Sequence, residues 1–203
     1  MIKNIIFDLA GVLLNLNIER DTKALQSVGL PDYMECLKNP DMLRPLTLYL
    51  NGLMEEAEFI KAMRPFCRPD VTDGEILWSM DAVLDDIPLA RLQRLVELRR
   101  HYKVFLLSNL YDSAWRYTID EFKRQGYTLE DCFDRAFFSQ QIHMAKPDPR
   151  IFQYVFEQTG ILPSETLYFD DTRENIESGH ALGLHTCLVP MNRLESCAEY
   201  ANL

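Results

Sequence analysis

The sequence predicts an α/β fold, in which a doubly wound parallel sheet carries an inserted helical subdomain. Five short apolar runs have strand character, helical segments separate most of them, and almost a hundred residues lie between the first run and the second. Most of the runs are continuously apolar, which is typical of strands covered on both faces. The predicted strands are residues 2–7, 103–107, 135–139, 166–169 and 185–189.

Three segments between these strands predict helices. Residues 88–98 place Leu89, Leu92, Leu95 and Val96 on one apolar stripe. A second helix opens at Pro147-Asp148-Pro149, since proline is tolerated in a first turn, and a third runs over 173–182 and stops at Gly183. Strand and helix alternation of this kind predicts a parallel sheet with right-handed crossovers.

The long gap after the first strand predicts an insertion. A crossover needs only a dozen or more residues. Residues 15–86 instead show helical patterning, with breaks at Gly29-Leu30-Pro31, Asn39-Pro40, Asn51-Gly52 and Arg68-Pro69. We expect an inserted subdomain of about four helices over 15–86, and a core made of residues 1–14 and 87–203.

The composition excludes several classes of protein. Lys plus Arg number 21 and Asp plus Glu number 31, a net charge of −10, which argues against nucleic-acid and anionic-membrane partners. Five cysteines without a C-x-x-C pair disfavour disulfides and zinc and favour a reducing, cytoplasmic location. No apolar run approaches the ~18 residues that a membrane span requires.

Polar residues gather where four of the predicted strands end. Carboxyl ends of parallel strands meet at one edge of the sheet, where ligands bind in open α/β folds. The residues at or just past these ends are Asp8, Ser108, Asn109, Lys146, Asp170 and Asp171.

This set predicts a magnesium and phosphate site. Three neighbouring carboxylates repel one another unless a cation lies among them, and oxygen ligands without His or Cys favour Mg²⁺. An aspartate can act as a nucleophile and form an aspartyl-phosphate. Ser108, Asn109 and Lys146 supply the donors that would hold phosphate oxygens.

The same residues lie in four strings that resemble the motifs of the haloacid dehalogenase (HAD) superfamily. FDLAGVL resembles the first motif, LLSN the second, Lys146 in AKPDPRIF the third and YFDDTRENI the fourth. The match spans about residues 2–189, with the insertion at the position of a helical C1 cap. The nearest likeness is to the branch that includes bacterial α-D-glucose-1-phosphate phosphatase.

The resemblance implies a role for each residue. Asp8 would be the nucleophile and a Mg²⁺ ligand, together with the main-chain carbonyl of Ala10. Asp171 would bind the metal directly, and Asp170 directly or through water. Ser108, Asn109 and Lys146 would bind the substrate phosphate, and Lys146 would also contact Asp8 in its catalytic role.

Ala10 is a departure from the family pattern. Phosphatases of this superfamily carry a second aspartate there, which protonates the leaving alcohol and then activates water. General acid–base help is worth roughly 10²–10⁴-fold. Its loss predicts a slow enzyme, a leaving group that needs little protonation, or a substitute such as Asp112 or a residue of the cap.

Three functions remain open at this point. The first is a Mg²⁺-dependent phosphatase acting on a small phosphorylated metabolite. The second is a 2-haloacid dehalogenase, which uses the same aspartate without a metal and so has no need of paired acids in the fourth motif. The third is a non-catalytic scaffold that binds a phosphorylated ligand or a protein partner. Arg20, Arg44 and Tyr49 are candidate cap contacts to the substrate.

Overall fold

The computed structural model describes residues 1–203, and its centre is one parallel sheet of five strands in the order β3-β2-β1-β4-β5. The doubly wound parallel sheet predicted from the sequence is confirmed. The strands are β1 (Asn4–Phe7), β2 (Lys103–Ser108), β3 (Arg135–Phe138), β4 (Thr166–Asp170) and β5 (His185–Leu188). Each lies within one or two residues of its predicted bounds.

The strand order reverses at β1. Phe7 pairs with Leu106 of β2 on one side and with Phe169 of β4 on the other. A crevice forms beyond the carboxyl ends of the strands at such a reversal, because the connections leave on opposite faces. Asp8, the residue after β1, therefore lies at the place where this fold binds ligands.

Helices cover both faces of the sheet. The helices that follow the insert are α6 (Leu89–Leu98), α7 (Asp112–Arg124), α8 (Leu129–Cys132), α9 (Ser139–Ile142), α10 (Pro149–Thr159), α11 (Arg173–Ala181) and α12 (Ala198–Ala201). Ile6 and Tyr168 pack with Phe152 of α10 on one face, while Ile5 and Phe169 belong to the larger cluster on the other. Alternate strand residues thus enter different clusters, as a sheet buried on both sides requires.

Residues 15–86, which we call the insert, form five helices rather than the expected four or so. They are α1 (Ile18–Val28), α2 (Tyr33–Lys38), α3 (Pro40–Leu50), α4 (Glu56–Met63) and α5 (Asp73–Asp81). Three of the four predicted breaks lie between these helices, and at the fourth, Asn39-Pro40, Pro40 is the first residue of α3. The additional helix is the six-residue α2, which is too short to show a clear apolar period in the sequence.

The two ends of the insert run side by side. Asn15 N–H donates to Asp86 O and Asp85 N–H to Asn15 O, both at 2.9 Å, and Leu16 forms an antiparallel bridge with Leu84. The insert thus leaves and rejoins the rest of the chain through one paired ribbon. None of the helices is long and apolar enough to cross a membrane.

Candidate active site

The carboxyl edge of the sheet brings three of the predicted side chains into direct contact. Lys146 Nζ lies 2.7 Å from Asp8 Oδ1 and 2.7 Å from Asp170 Oδ2, and it donates to Leu107 O at 2.8 Å. The Lys146 side chain is only 1% exposed. A buried ammonium is tolerated here because two carboxylates and a carbonyl surround it.

Asp170 and Asp171 have different surroundings although they are adjacent in sequence. Asp170 is fully buried, and both of its oxygens accept hydrogen bonds, from Lys146, Tyr168, Thr172 N–H and Asn175. Asp171 is half-buried and accepts only from Thr172 Oγ1, at 3.3 Å. Asp170 therefore holds Lys146, while Asp171 Oδ2 has no donor from the protein.

The turn after β1 gives the site a main-chain oxygen. Gly11 has φ +80°, and a Cβ at this position would lie 2.2 Å from Asp171 Oδ2, so only glycine lets Asp171 approach the turn this closely. The neighbouring Ala10 carbonyl accepts no hydrogen bond from the protein. The carboxylates of Asp8, Asp170 and Asp171 each offer an oxygen within 4.8 Å of the others. This all-oxygen donor set fits a hard divalent cation such as Mg²⁺.

Burial makes the carboxylates costly to ionise without a cation. Burial and the charges of Asp170 and Asp171 raise the pKa of Asp8 to about 7, although Lys146 opposes the shift. Burial and the charge of Asp170 likewise raise the pKa of Asp171. At Lys146 burial acts to lower the pKa, but the two carboxylates outweigh it and the pKa is raised. Lys146 is therefore charged, and the site has a deficit of positive charge.

Unpaired donors lie around the same point. Ser108 Oγ is buried and has no hydrogen-bond partner. The main-chain N–H groups of Leu9, Ala10 and Asn109 donate to no protein group. Ser108 and Leu9 are buried, whereas Ala10 and Asn109 are half-buried. Buried donors are rarely left unpaired in folded proteins, and donors of this kind can bind the oxygens of an oxyanion.

Asn109 was predicted from the sequence to bind phosphate, but its side chain has another partner. Its Nδ2 donates to Lys146 O and its Oδ1 accepts from Lys146 N–H, both at 2.8 Å. The side chain therefore fastens the loop that carries Lys146 to the end of β2. The main-chain N–H of Asn109 is the group that we expect to face phosphate.

A comparison with known proteins identifies the family of the chain. The family model described as haloacid dehalogenase-like hydrolase matches residues 2–183. The chain belongs to this family. The resemblance of its four motifs to the HAD superfamily is thereby confirmed.

Three of the similar proteins are phosphatases. The chain is 31% identical over 188 residues to D-ribitol-5-phosphate phosphatase of Bacteroides thetaiotaomicron, covering 92% of this chain and 91% of the relative. It is 26% identical over 183 residues to the phosphorylated carbohydrates phosphatase of Thermotoga maritima, covering 89% and 81%. A HAD family enzyme of B. thetaiotaomicron, crystallised with magnesium and inorganic phosphate, superposes with a TM-score of 0.84 at 33% identity and coverage of 95% and 96%.

Two residues of this HAD site were not predicted from the sequence. Tyr168 donates its hydroxyl to Asp170 Oδ2, and Asn175 Nδ2 donates to both Asp170 oxygens, at 3.0 and 3.2 Å. The spacing contained a signal for Tyr168, because residues i and i+2 of a strand point to the same face. Asn175 lies on α11, and only the packing of α11 on β4 brings it to Asp170.

Two of the three candidate substrate contacts of the insert have partners within the protein. Arg20 donates to Ala82 O and Leu84 O and pairs with Asp85. Tyr49 is buried, with its hydroxyl on Glu56. Arg44 is exposed and makes no polar contact.

Asp112, considered as a substitute acid, is exposed at the start of α7. It has no polar contact to the residues of the site. Nothing in its surroundings therefore favours it over a carboxyl of the insert.

Proposed function

We propose that the protein hydrolyses the phosphate monoester of a small polyol or sugar, using Mg²⁺ and an aspartyl-phosphate intermediate. The observation that carries the proposal is the contact of Lys146 with Asp8 and Asp170, beside the unpaired hydroxyl of Ser108. Phosphatase activity and magnesium, both predicted from the sequence, are confirmed by the relatives.

Asp8 is the proposed nucleophile. One carboxylate oxygen attacks phosphorus, the bond from phosphorus to the leaving oxygen breaks, and the leaving oxygen takes a proton from water to give the alcohol. Water then attacks the phosphorus of the aspartyl-phosphate, which releases inorganic phosphate and restores Asp8. Lys146 holds Asp8 in position and offsets the charge on the phosphate oxygens.

Three oxygens are proposed as the metal ligands: Asp8, the Ala10 carbonyl and Asp171. When bound, Mg²⁺ neutralises phosphate charge and lets two anions approach each other. Asp170 is not proposed as a direct Mg²⁺ ligand, because its oxygens already accept hydrogen bonds from the protein. Its proposed role is to hold Lys146 in position. Ser108 Oγ and the N–H groups of Leu9, Ala10 and Asn109 bind the phosphate oxygens.

Residues 15–86 are the proposed cap, and residues 1–14 and 87–203 the proposed core. The paired linkers around Asn15 and Asp86 fit a subdomain that moves as one unit and excludes water from the site. A cytoplasmic location is part of the proposal, since all five cysteines are free thiols.

The dehalogenase alternative is disfavoured by the site itself. A displacement at carbon without a metal gains nothing from Asp171. Burial and the charge of Asp170 raise the pKa of this carboxyl. A cation is the partner that such a group lacks.

A phosphate-release assay tests the proposal. Purified protein is incubated with polyol phosphates, sugar phosphates and p-nitrophenyl phosphate, with Mg²⁺ or with EDTA, and chloride release from 2-chloropropionate is measured in parallel. We expect Mg²⁺-dependent release of phosphate and no release of chloride. Absence of phosphate release from every ester would show instead a non-catalytic scaffold, which Ala10 in place of an acid would fit.

A further inference from the structure

Asn192 lies outside the four motif strings, yet it contacts the turn after β1. It follows β5, which ends at Leu188, and it is half-buried. Its main-chain N–H donates to Gly11 O at 2.7 Å. Its side chain makes two bonds to Leu16, because Oδ1 accepts from Leu16 N–H and Nδ2 donates to Leu16 O, both at 2.8 Å. Asn192 therefore holds both ends of the segment from Gly11 to Leu16.

Arg91 of α6 fastens the same segment to Asn192. Its side chain is only 3% exposed, and it makes five hydrogen bonds, as many as a guanidinium has N–H groups. The acceptors, at 2.6–3.1 Å, are Leu13 O, Asn15 Oδ1, Asn192 O and both carboxylate oxygens of Glu195. One buried side chain thus joins the turn after β1, the start of the insert and the segment after β5.

The orientation of the Ala10 carbonyl, a proposed metal ligand, depends on the contacts of Gly11. The Ala10 carbonyl and the Gly11 N–H belong to one planar trans peptide and point in opposite directions. Gly11 N–H donates to Leu14 O at 2.8 Å, which fixes the plane of this peptide. The carbonyl of Gly11 is fixed in turn by Asn192 N–H. The direction of the Ala10 oxygen therefore follows from bonds on both sides of Gly11.

A second peptide group connects this turn to the linker of the insert. Leu14 O, the acceptor of Gly11 N–H, shares a peptide with Asn15 N–H, which donates to Asp86 O at 2.9 Å. Hydrogen bonds thus run from the end of the insert through two planar peptides to the Ala10 oxygen. Side chains that hold this path in place act on a proposed Mg²⁺ ligand without touching it.

A left-handed turn by itself does not explain Asn192. The residue has φ 62°, a conformation that asparagine adopts more readily than most residues and glycine most readily of all. An asparagine needed only for a turn bonds to its own neighbouring backbone. The side chain of Asn192 instead reaches Leu16, 176 positions away in sequence. The contact with Leu16 is therefore what an asparagine supplies here and a glycine would not.

We propose that Asn192, supported by Arg91, is a positioning residue that fixes the Ala10 carbonyl in the orientation that binds Mg²⁺. This inference rests on the proposed function, in which Asp8, Ala10 and Asp171 are the metal ligands. Groups that hold a metal ligand in place typically change metal affinity about 10- to 100-fold when they are removed. The role of Asn192 is thus to raise the affinity for Mg²⁺, and it has no part in phosphoryl transfer itself.

Two variants with matched controls test the proposal. Asn192→Gly removes both bonds to Leu16 but keeps the left-handed φ and the main-chain N–H, and its control is Asn202→Gly at the exposed end of α12. Arg91→Lys keeps the charge but has three donors instead of five. Its control is Arg94→Lys, a partly exposed position on the same helix.

Mg²⁺ binding is measured by isothermal titration calorimetry without substrate, and hydrolysis of p-nitrophenyl phosphate is followed over a range of Mg²⁺ concentrations. We expect Asn192→Gly and Arg91→Lys to raise the Kd for Mg²⁺ about 10-fold, and the Mg²⁺ concentration for half-maximal activity by a similar factor. Saturating Mg²⁺ should restore kcat to within about threefold of the wild-type value, because the ligands are intact. Both controls should keep the wild-type Kd.

Thermal unfolding in EDTA separates the positioning role from a purely structural one. Both variants lose buried hydrogen bonds, so their Tm without metal is expected to fall in either case. A purely structural role would leave the Kd for Mg²⁺ unchanged in the folded protein. The positioning role raises this Kd at temperatures where circular dichroism shows the variant to be fully folded.

Different failures have different meanings. If Asn192→Gly folds and binds Mg²⁺ with wild-type affinity, or loses kcat equally at every Mg²⁺ concentration, the positioning role is wrong and the proposed function stands. If Asn192→Gly does not fold, Arg91→Lys decides, and a wild-type Kd in that variant likewise contradicts the inference. If the wild-type protein neither binds Mg²⁺ nor releases phosphate from any ester, the proposed function fails, and the inference fails with it.

Discussion

Lysine–aspartate pairs of the same chemistry lie at both edges of the sheet, in opposite surroundings. At the carboxyl edge Lys146 and Asp8 are 2.7 Å apart with side chains 1% and 9% exposed. At the amino edge Lys103 and Asp134 are 3.0 Å apart with side chains 67% and 21% exposed. The exposed pair is screened by water, whereas the buried pair is not.

The pKa values of the two aspartates show what this difference means. Burial dominates at Asp8 and raises its pKa to about 7. At Asp134 partial burial is outweighed by hydrogen bonds from Val104 N–H and Lys103, and the pKa is lowered. Asp134 is therefore satisfied by the protein alone, while Asp8 needs a further positive charge.

Cavity volume does not identify the candidate active site, because a large cavity lies at the opposite edge of the sheet. An open cavity of about 480 Å³ lies at the amino edge, lined by residues that include Asn4, Lys103 and Asp134. Lys103 pairs with Asp134, Arg135 donates to Gln158, and Glu165 pairs with Lys3, so each charged group that lines the cavity has a partner. Unsatisfied groups, rather than open volume, mark the functional edge of this sheet.

Replacing the proposed nucleophile is expected to produce the largest difference in activity between the two edges of the sheet. Asp8→Asn should lower kcat by about 10⁴-fold or more, because the amide cannot attack phosphorus. The matched change at the other edge, Asp134→Asn, should leave kcat within about twofold. Phosphate release measures both, and comparable activity in the two variants would contradict the role of Asp8.

Replacing each of the two lysines should lower the stability of the protein by different amounts. Lys146→Met leaves Asp8 and Asp170 buried without their shared cation, which should lower the free energy of unfolding by about 3–5 kcal/mol. Lys103→Met removes an exposed partner and should cost less than about 1 kcal/mol. Urea unfolding of both variants without added metal is the measurement, and equal losses would show that burial does not separate the pairs.

Magnesium should stabilise the protein more at high pH. The folded-state pKa of Asp8 is about 7, above its usual 3.8, so the stability contributed by this group is present below pH 3.8 and lost as the pH rises through about 7. A cation restores it and competes with protons for the site. The rise in Tm with added Mg²⁺ should therefore be larger at pH 8 than at pH 6.

A matched pair of variants tests the magnesium prediction. Asp171→Asn should remove most of the Mg²⁺-dependent rise in Tm, whereas Asp134→Asn should retain it. A rise in Tm that is independent of pH, or that survives in Asp171→Asn, would place the cation elsewhere.

The smallest expected effect concerns Tyr168. Tyr168→Phe removes one of the donors to Asp170 but leaves Lys146, Thr172 N–H and Asn175 in place. A loss of about 1 kcal/mol in stability and a severalfold fall in kcat are expected from one lost buried hydrogen bond. Denaturant unfolding and initial rates check this, and a loss as large as that of Lys146→Met would mean that Tyr168 has a larger role.

Much of the fold could be predicted from the sequence because its signals are local. Continuous apolar runs and helix-ending residues such as Gly183 lie within one element, so strand bounds were predicted to within two residues. The short helix α2 was missed, since six residues contain too few turns for a period. The order β3-β2-β1-β4-β5 placed Asp8 beside Asp170, as the rule for strand ends predicts.

The partners of each site residue could not be predicted in the same way. Asp170 and Asp171 are equivalent in sequence, but only Asp170 points to Lys146. Asn109 resembles a phosphate ligand, yet its side chain binds the Lys146 backbone across 37 positions of sequence. Such pairings depend on how loops from distant parts of the chain pack.

The sequence alone determined an α/β fold with a parallel sheet, in which carboxylates, a hydroxyl and an ammonium follow the ends of the strands. Those properties follow from local apolar patterning and from the chemistry of residue types. The tertiary structure alone decided which carboxylate holds Lys146 and which one keeps an oxygen without a protein donor. Desolvation and hydrogen-bond satisfaction arise only when distant segments pack together, and they turn identical aspartates into groups with different roles.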